Sequence, residues 1–279
     1  MINFAIPFPA LDPVLIEIGP LAIRWYALAY IAGLLIGWQL ARWLVTRNAL
    51  WGGRPPMKPV DLDDALFWAT FGVILGGRVG YVLFYNLPYF LAHPAEIVMV
   101  WKGGMSFHGG LAGTILALVL FARSRRIPVP SLLDVAGVVA PIGLFFGRIA
   151  NFINGELWGR PSDAPWAVIF PTGGNVPRHP SQLYEAAMEG LLLFLIMLLV
   201  VRLGGLRRPG LAAGIFGIGY GIGRITGEFF REPDPQVGYL AYGTTMGMIL
   251  SLPVVIAGLA ILIYALSRPV HGFDPGPQR

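Results

Sequence analysis

The chain contains no cysteine. That absence excludes disulfides, thiolate metal sites and a nucleophilic thiol of the chain's own. Charge is also scarce: 13% of the 279 residues are charged, against about 25% in a typical soluble domain. No long polar block exists from which a large soluble domain could be built. Metal-ligand spacing is missing as well, with no paired histidine, no HExxH and no carboxylate cluster. Nucleotide P-loops, heptads, low-complexity tracts and clear repeats are all lacking. Neither a metal nor any other cofactor is expected. The opening residues MINFAIPFPALDP have no basic n-region and no small-residue cleavage site. The first span is therefore expected to direct its own insertion.

What remains is apolar. Hydrophobic residues make up 56% of the chain and mean hydropathy is +0.66. Runs near the length of a bilayer crossing predict an all-α, polytopic membrane protein with seven spans, at about 21–43, 62–85, 104–122, 131–147, 183–203, 211–229 and 243–266. The whole chain, 1–279, reads as a single domain with 148–182 as its longest outer loop. Basic residues follow the first, third, fifth and seventh spans, which places the N-terminus outside and the C-terminus in the cytoplasm. Topology accounts for the clustered part of the +5 charge, and no nucleic acid is expected. Eight basic residues do not fit that scheme: Arg24, Arg78, Lys102, Arg148, Arg160, Arg178, Arg224 and Arg231. An arginine within a span costs at least about 2.5–3.5 kcal/mol and points to function.

The sixth span reads GIFGIGYGIGRITGEFFREPD. Gly219, Gly223 and Gly227 form a stripe where a neighbouring helix can approach closely. Tyr220, Arg224 and Glu228 recur one residue on, so Glu228 can hold Arg224 while Tyr220 bonds a ligand or either ion. A structural ion pair between helices explains the same stripe. In the first span, Tyr26, Tyr30, Gly33 and Gly37 share a face, with belt anchoring as the plain reading of the tyrosines. In the second, Gly76 and Gly80 form a close-packing pair, and Arg78 needs a carboxylate (Glu228 or Asp134), a ligand phosphate or backbone carbonyls. His108 sits among glycines in WKGGMSFHGGLAG and has the side chain suited to a general base near neutrality. Ser106 nearby raises a hydrolase, but no G-x-S-x-G elbow accompanies it.

Residues 147–160 read GRIANFINGELWGR. If the helix of the fourth span continues, Arg148, Asn151 and Asn154 share a face, Gly155 ends the helix and Glu156 follows at the outer interface. Guanidinium donors beside carboxamides suit a phosphate ester with neighbouring hydroxyls. A solvated polar loop is the alternative. Three rival classes remain on composition alone: a lipid transporter or scramblase with a midplane anion site, the Ser106–His108 intramembrane hydrolase, and a scaffold.

GRIANFINGELWG, with IRWYALAY, GGMSFHGG, RHPSQLYEA and YGIGRITGEFFREPD in that order, resembles the bacterial phosphatidylglycerol–prolipoprotein diacylglyceryl transferases. Ala150 stands where many members have glycine. The resemblance implies transfer of a diacylglyceryl group from phosphatidylglycerol to the lipobox cysteine of a preprolipoprotein, with a thioether formed and glycerol-1-phosphate released. It also implies a multi-pass enzyme of the bacterial inner membrane, with its site toward the outer face and membrane lipids around it. Arg148 and Arg224 match the family's essential arginines, and His108 matches the histidine proposed as base. Tyr26, Asn151 and Gly159 match positions of importance. Glu156, Tyr220 and Glu228 fall to substrate orientation, with Asn154 and Arg231 ranked below them and His179 positioning the outer loop.

Overall fold

A computed structural model describes residues 5–9, 14–19, 21–233 and 238–270. Helices dominate it and cover all seven predicted stretches: α1 (Trp25–Val45), α2 (Pro59–Tyr85), α3 (Phe107–Ser124), α4 (Val129–Ile153), α5 (Ser181–Arg202), α6 (Leu211–Glu228) and α7 (Met246–Leu266). Five of these, α1, α2, α4, α5 and α7, are long and apolar enough to cross a membrane. Their flanks carry large exposed apolar side chains such as Leu34, Phe67, Phe84 and Ile263, as a lipid-facing surface does. Helix α5 is continuous but widens into a π-helix at Ala186–Leu192, a feature that recurs at functional sites.

The all-α expectation is corrected in one respect. Strands β1 (Ile6–Pro7), β4 (Val168–Ile169) and β5 (Pro177–Arg178) form a small sheet, while β2 (Val14–Ile18) and β3 (Leu21–Arg24) pair as an antiparallel hairpin. Strands this short pair wherever two extended stretches outside the helices meet, and the hydropathy of the spans carries no sign of them.

Glycines set the helix pairing. A Cβ on Gly76 would lie 2.3 Å from the Gly109 carbonyl oxygen, and one on Gly113 would lie 2.2 Å from that of Gly72. Helices α2 and α3 therefore touch backbone to backbone. Gly33 on α1 meets Gly143 on α4. Helix α6 carries two glycine faces: Gly214, Gly217 and Gly221 lie against α7, and Gly219, Gly223 and Gly227 lie against Leu193, Glu189 and Glu185 of α5.

The two ends of the bundle differ. Leu44, Phe121, Val135, Val138, Met197 and Leu206 form one tightly buried apolar cluster. These residues come from the end where Arg42 pairs with Asp63 and Arg125 with Asp64. Also at that end, the fully buried Asp134 accepts from the backbone N–H groups of Gly210 (2.7 Å) and Ala213 (2.8 Å), satisfying orphan donors at the start of α6. Arg148, Glu185 and Arg224 stand at the opposite end.

Replacing Gly113 with leucine is expected to force α2 and α3 apart and lower stability by about 1–3 kcal/mol or more. Gly53→Ala, with nothing within 4 Å of the added carbon, should leave the midpoint unchanged. Thermal unfolding of the purified protein compares them.

Candidate active site

Helix α4 does continue through the polar motif. It runs to Ile153, Asn154 is its C-cap, and Gly155 at φ +64° turns the chain away. The left-handed conformation explains a glycine there. Beyond it the Glu156 N–H returns to the Asn151 carbonyl, and the Glu156 carboxylate accepts from Nδ2 of Asn151 (2.8 Å) and of Asn154 (3.4 Å). Asn151, Asn154 and Glu156 thus form one polar knot closing α4.

The arginine on that helix turns toward α5. Nε of Arg148 lies 2.8 Å from Glu185, and Nη2 lies 3.4 Å from Glu189. Arg224 reaches the same carboxylate from α6, with Nη1 at 2.7 Å from the other Glu185 oxygen. The expected Arg224–Glu228 pair forms as well. Arg231 adds longer contacts, 3.7 Å to Glu185 and 4.0 Å to Glu228, and Thr245 donates its hydroxyl to Glu228. Three arginines and three glutamates therefore form one cluster. Its layering is regular: the side chains of Arg148, Arg224 and Arg231 are 16%, 14% and 10% exposed, whereas those of Glu185, Glu189 and Glu228 are 2%, 0% and 4% exposed. The little exposure the cluster keeps is on its arginine side chains, and the carboxylates are the more deeply buried members.

A clamp of loop backbone frames this cluster. Gly159 donates to the His179 carbonyl and bridges to Arg231; a side chain there would lie 2.5 Å from the His179 oxygen and 2.6 Å from that of Phe230. Arg160 donates to the carbonyls of Glu228 and Arg231, both at 3.0 Å. Arg178 binds Glu232 at 3.0 Å and lies 3.9 Å above the Trp158 ring. His179 rests against Tyr184 and Phe230, where burial pushes its imidazole pKa down toward the neutral form.

Comparison of the amino-acid sequence with known proteins decides the family. A family model described as prolipoprotein diacylglyceryl transferase matches residues 13–264. The chain belongs to that family. It is 61% identical to the phosphatidylglycerol–prolipoprotein diacylglyceryl transferase of Nitrobacter hamburgensis, over 94% of this chain and 91% of the relative. Identity to the protein of that name in Rhodopseudomonas palustris is also 61%, over 95% and 93% of the two chains. The Rhodospirillum rubrum protein of that name is 62% identical, over 94% and 95%.

Among the residues matched to the family motifs, Arg148, Asn151, Asn154, Glu156, Arg224 and Glu228 come together where α4, α5 and α6 meet. Gly159 belongs to the backbone clamp beside them. Half-buried Tyr220 stacks on Phe216 with ring centroids 6.0 Å apart. Tyr26 donates to the Tyr30 hydroxyl at 3.1 Å. His108 is the second residue of α3, on the α2–α3 pair, and its side chain lies outside the described residues. Arg78 is settled by backbone carbonyls: it donates to those of Glu96, Ile97, Met99, Gly103 and Gly104. Asp134 and Glu228 are engaged elsewhere.

Glu185 and Glu189 were absent from the sequence-derived site. Their signal was present, since two carboxylates four residues apart on an apolar span require cationic partners. Glu185→Ala is expected to cost about 3–5 kcal/mol, because it removes the carboxylate shared by two poorly exposed arginines and leaves Arg148 only the longer Glu189 contact and Arg224 only Glu228. Arg42→Ala, at a pair whose side chains are 37% and 35% exposed, should cost about 1 kcal/mol or less. Equal losses in thermal unfolding would deny Glu185 its central place.

Proposed function

We propose that the guanidinium face of this cluster holds the phosphate of phosphatidylglycerol while its diacylglyceryl group passes to the lipobox cysteine thiol of a preprolipoprotein. Family membership supports the overall transfer. The observation that supports the assignment to this site is the layering: Arg148 and Arg224 keep partial exposure while the carboxylates that hold them are buried.

The chemistry requires the thiol sulfur to attack the glyceryl carbon bonded to the phosphate oxygen. A C–S bond forms, the C–O bond breaks, and the electron pair leaves with oxygen. The phosphodiester monoanion becomes glycerol-1-phosphate, a monoester bearing more negative charge. Arg148 and Arg224, oriented in advance by Glu185, retain donors to meet that developing charge. The same cations favour the thiolate, since a free cysteine thiol has a pKa near about 8.5 and neighbouring arginines lower it. His108 is the proposed acceptor of the thiol proton. Tyr26, Asn151 and Glu156 form the wall toward the lipid headgroup, Tyr220 and Glu228 hold the arginine side, and Gly159 keeps the loop clamp closed. Ser106 is otherwise employed: its hydroxyl accepts from the Gly109 N–H at 3.2 Å as the N-cap of α3, which favours a transferase over the Ser106–His108 hydrolase.

All seven long helices are read as spans of the bacterial inner membrane, N-terminus outside and C-terminus in the cytoplasm, with the cluster toward the outer face. In a cysteine-free chain, single cysteines test this directly. In intact spheroplasts, Asn175→Cys should react with an impermeant thiol reagent and Arg54→Cys only after lysis. The reverse pattern would invert the topology.

For the chemistry, Arg148→Ala and Arg224→Ala are each expected to abolish thioether formation on a lipobox peptide in phosphatidylglycerol liposomes, read as the diacylglyceryl mass increment. Ser106→Ala should retain turnover. Near-normal activity in both arginine variants would overturn the assignment.

A further inference from the structure

We infer that Thr245 and Gly247, where α7 begins, are positioning residues for Arg224 and act on it through the Glu228 carboxylate. This rests on the transfer reaction proposed above and adds α7 to the elements that shape its site. Arg224 is held at two points: Nη1 lies 2.7 Å from one oxygen of Glu185, and Nη2 pairs with Oε1 of Glu228. Each of these carboxylates uses its second oxygen on an anchor. Glu185 turns it to Arg148 of α4 at 2.8 Å. Glu228 turns Oε2 to the Thr245 hydroxyl. Thr245 thus does for Glu228 what Arg148 does for Glu185.

The direction of that bond is fixed. A carboxylate only accepts, so the hydroxyl donates its one proton to Glu228. The hydroxyl oxygen accepts in turn from the Met248 N–H at 3.3 Å, as the N-cap of α7. Thr245 is 2% exposed and Glu228 3%, and a buried acceptor that loses its donor is left unsatisfied at a cost. An i,i+4 pair on one helix is a weak constraint by itself, so the anchor from α7 decides where the carboxylate stands. Gly247 limits the same group. A Cβ there would lie 2.5 Å from Oε1, the oxygen that pairs with Arg224, and 2.9 Å from Oε2. Backbone contacts set the register: Gly214 lies against Leu262, Gly217 against Gly258 and Gly221 against Val255. The same antiparallel course brings Thr245 and Gly247 to Glu228. An alanine at 247 meets the end of a flexible side chain, so the carboxylate yields first and Arg224 loses its second hold.

The test measures transfer to a lipobox peptide by the full-length enzyme in phosphatidylglycerol liposomes, with kcat counted per folded molecule. Thr245→Val keeps the shape and removes the donor. Its kcat should fall at least about ten-fold, as displacement of a catalytic group does. KM for phosphatidylglycerol should change less than kcat, because the charge that Arg224 meets grows in the transition state. Thr245→Ser restores the hydroxyl and should recover most of the loss. Gly247→Ala should lower kcat in the same way. Both changes act on one carboxylate, so the double variant should lose less than the product of the single losses. A purely capping role predicts otherwise, since loss of an N-cap lowers stability and leaves turnover per folded molecule intact. Full kcat in Thr245→Val overturns the inference, as do a serine variant as slow as the valine one, a change confined to KM, or fully multiplicative losses. If the valine variant does not fold, Gly247→Ala decides: a reduced kcat supports the inference and a full kcat overturns it. Normal transfer by Arg224→Ala, or none by the unaltered enzyme, removes the proposed reaction at this site and this inference with it. Normal transfer by Thr245→Val beside an inert Arg224→Ala removes only the inference.

Discussion

The carboxylate of Glu185 is the contact on which the site depends. One oxygen holds Arg148 of α4 and the other holds Arg224 of α6, so three helices are fixed by a single side chain. Neither arginine could stand alone at that depth, since an unpaired charge there is costly. Nor could Glu185, which is almost fully buried. The pairing therefore stabilises each partner chiefly by removing the penalty the other would face. The ions are mutually obligatory, and the geometry they enforce sets how the two guanidinium groups are presented.

Such a bridge needs helices that approach closely. Gly227 and Gly223 lie opposite Glu185 and Glu189; larger residues would hold α6 away and stretch the ion pairs. Gly190 performs the same service toward α4, lying against Phe145. The opposite end of the bundle is organised differently, with a dry cluster around Leu44, Phe121 and Met197 and with Asp134 locking the start of α6. A packed apolar end gives the charged end a rigid frame, so the arginines need not supply the cohesion of the fold.

The sequence made much of this legible, for identifiable reasons. Span positions follow from hydropathy, which depends on local composition alone. The Arg224–Glu228 pair and the end of α4 at Gly155 follow from helical spacing and backbone sterics, both local rules. What stayed hidden is tertiary. Nothing local distinguishes the partner of Arg78, which is a ring of carbonyls from residues 96–104. Glu185 and Glu189 lie within the span predicted at 183–203, but only the register of α5 against α6 turns them into the hub. The small sheets escaped because strands two to five residues long have no periodicity to read.

Counted as charges alone, three arginines against three glutamates argue against an anion site, since opposite charges at close range cancel. Distribution answers the objection. On the proposed reading an incoming phosphate meets the partly exposed arginine side chains before the buried carboxylates, and a field depends on separation as well as on sum. An uncompensated cluster of arginines would be stronger at long range but would have no reason to hold its shape inside an apolar bundle. Backing each guanidinium with a buried carboxylate sacrifices some attraction and gains fixed orientation. For a reaction in which negative charge grows on the departing phosphate, donors already in place are worth more than donors that must first be gathered. On the proposed reading the buried glutamates are therefore part of the binding apparatus, although they repel the ligand it would bind.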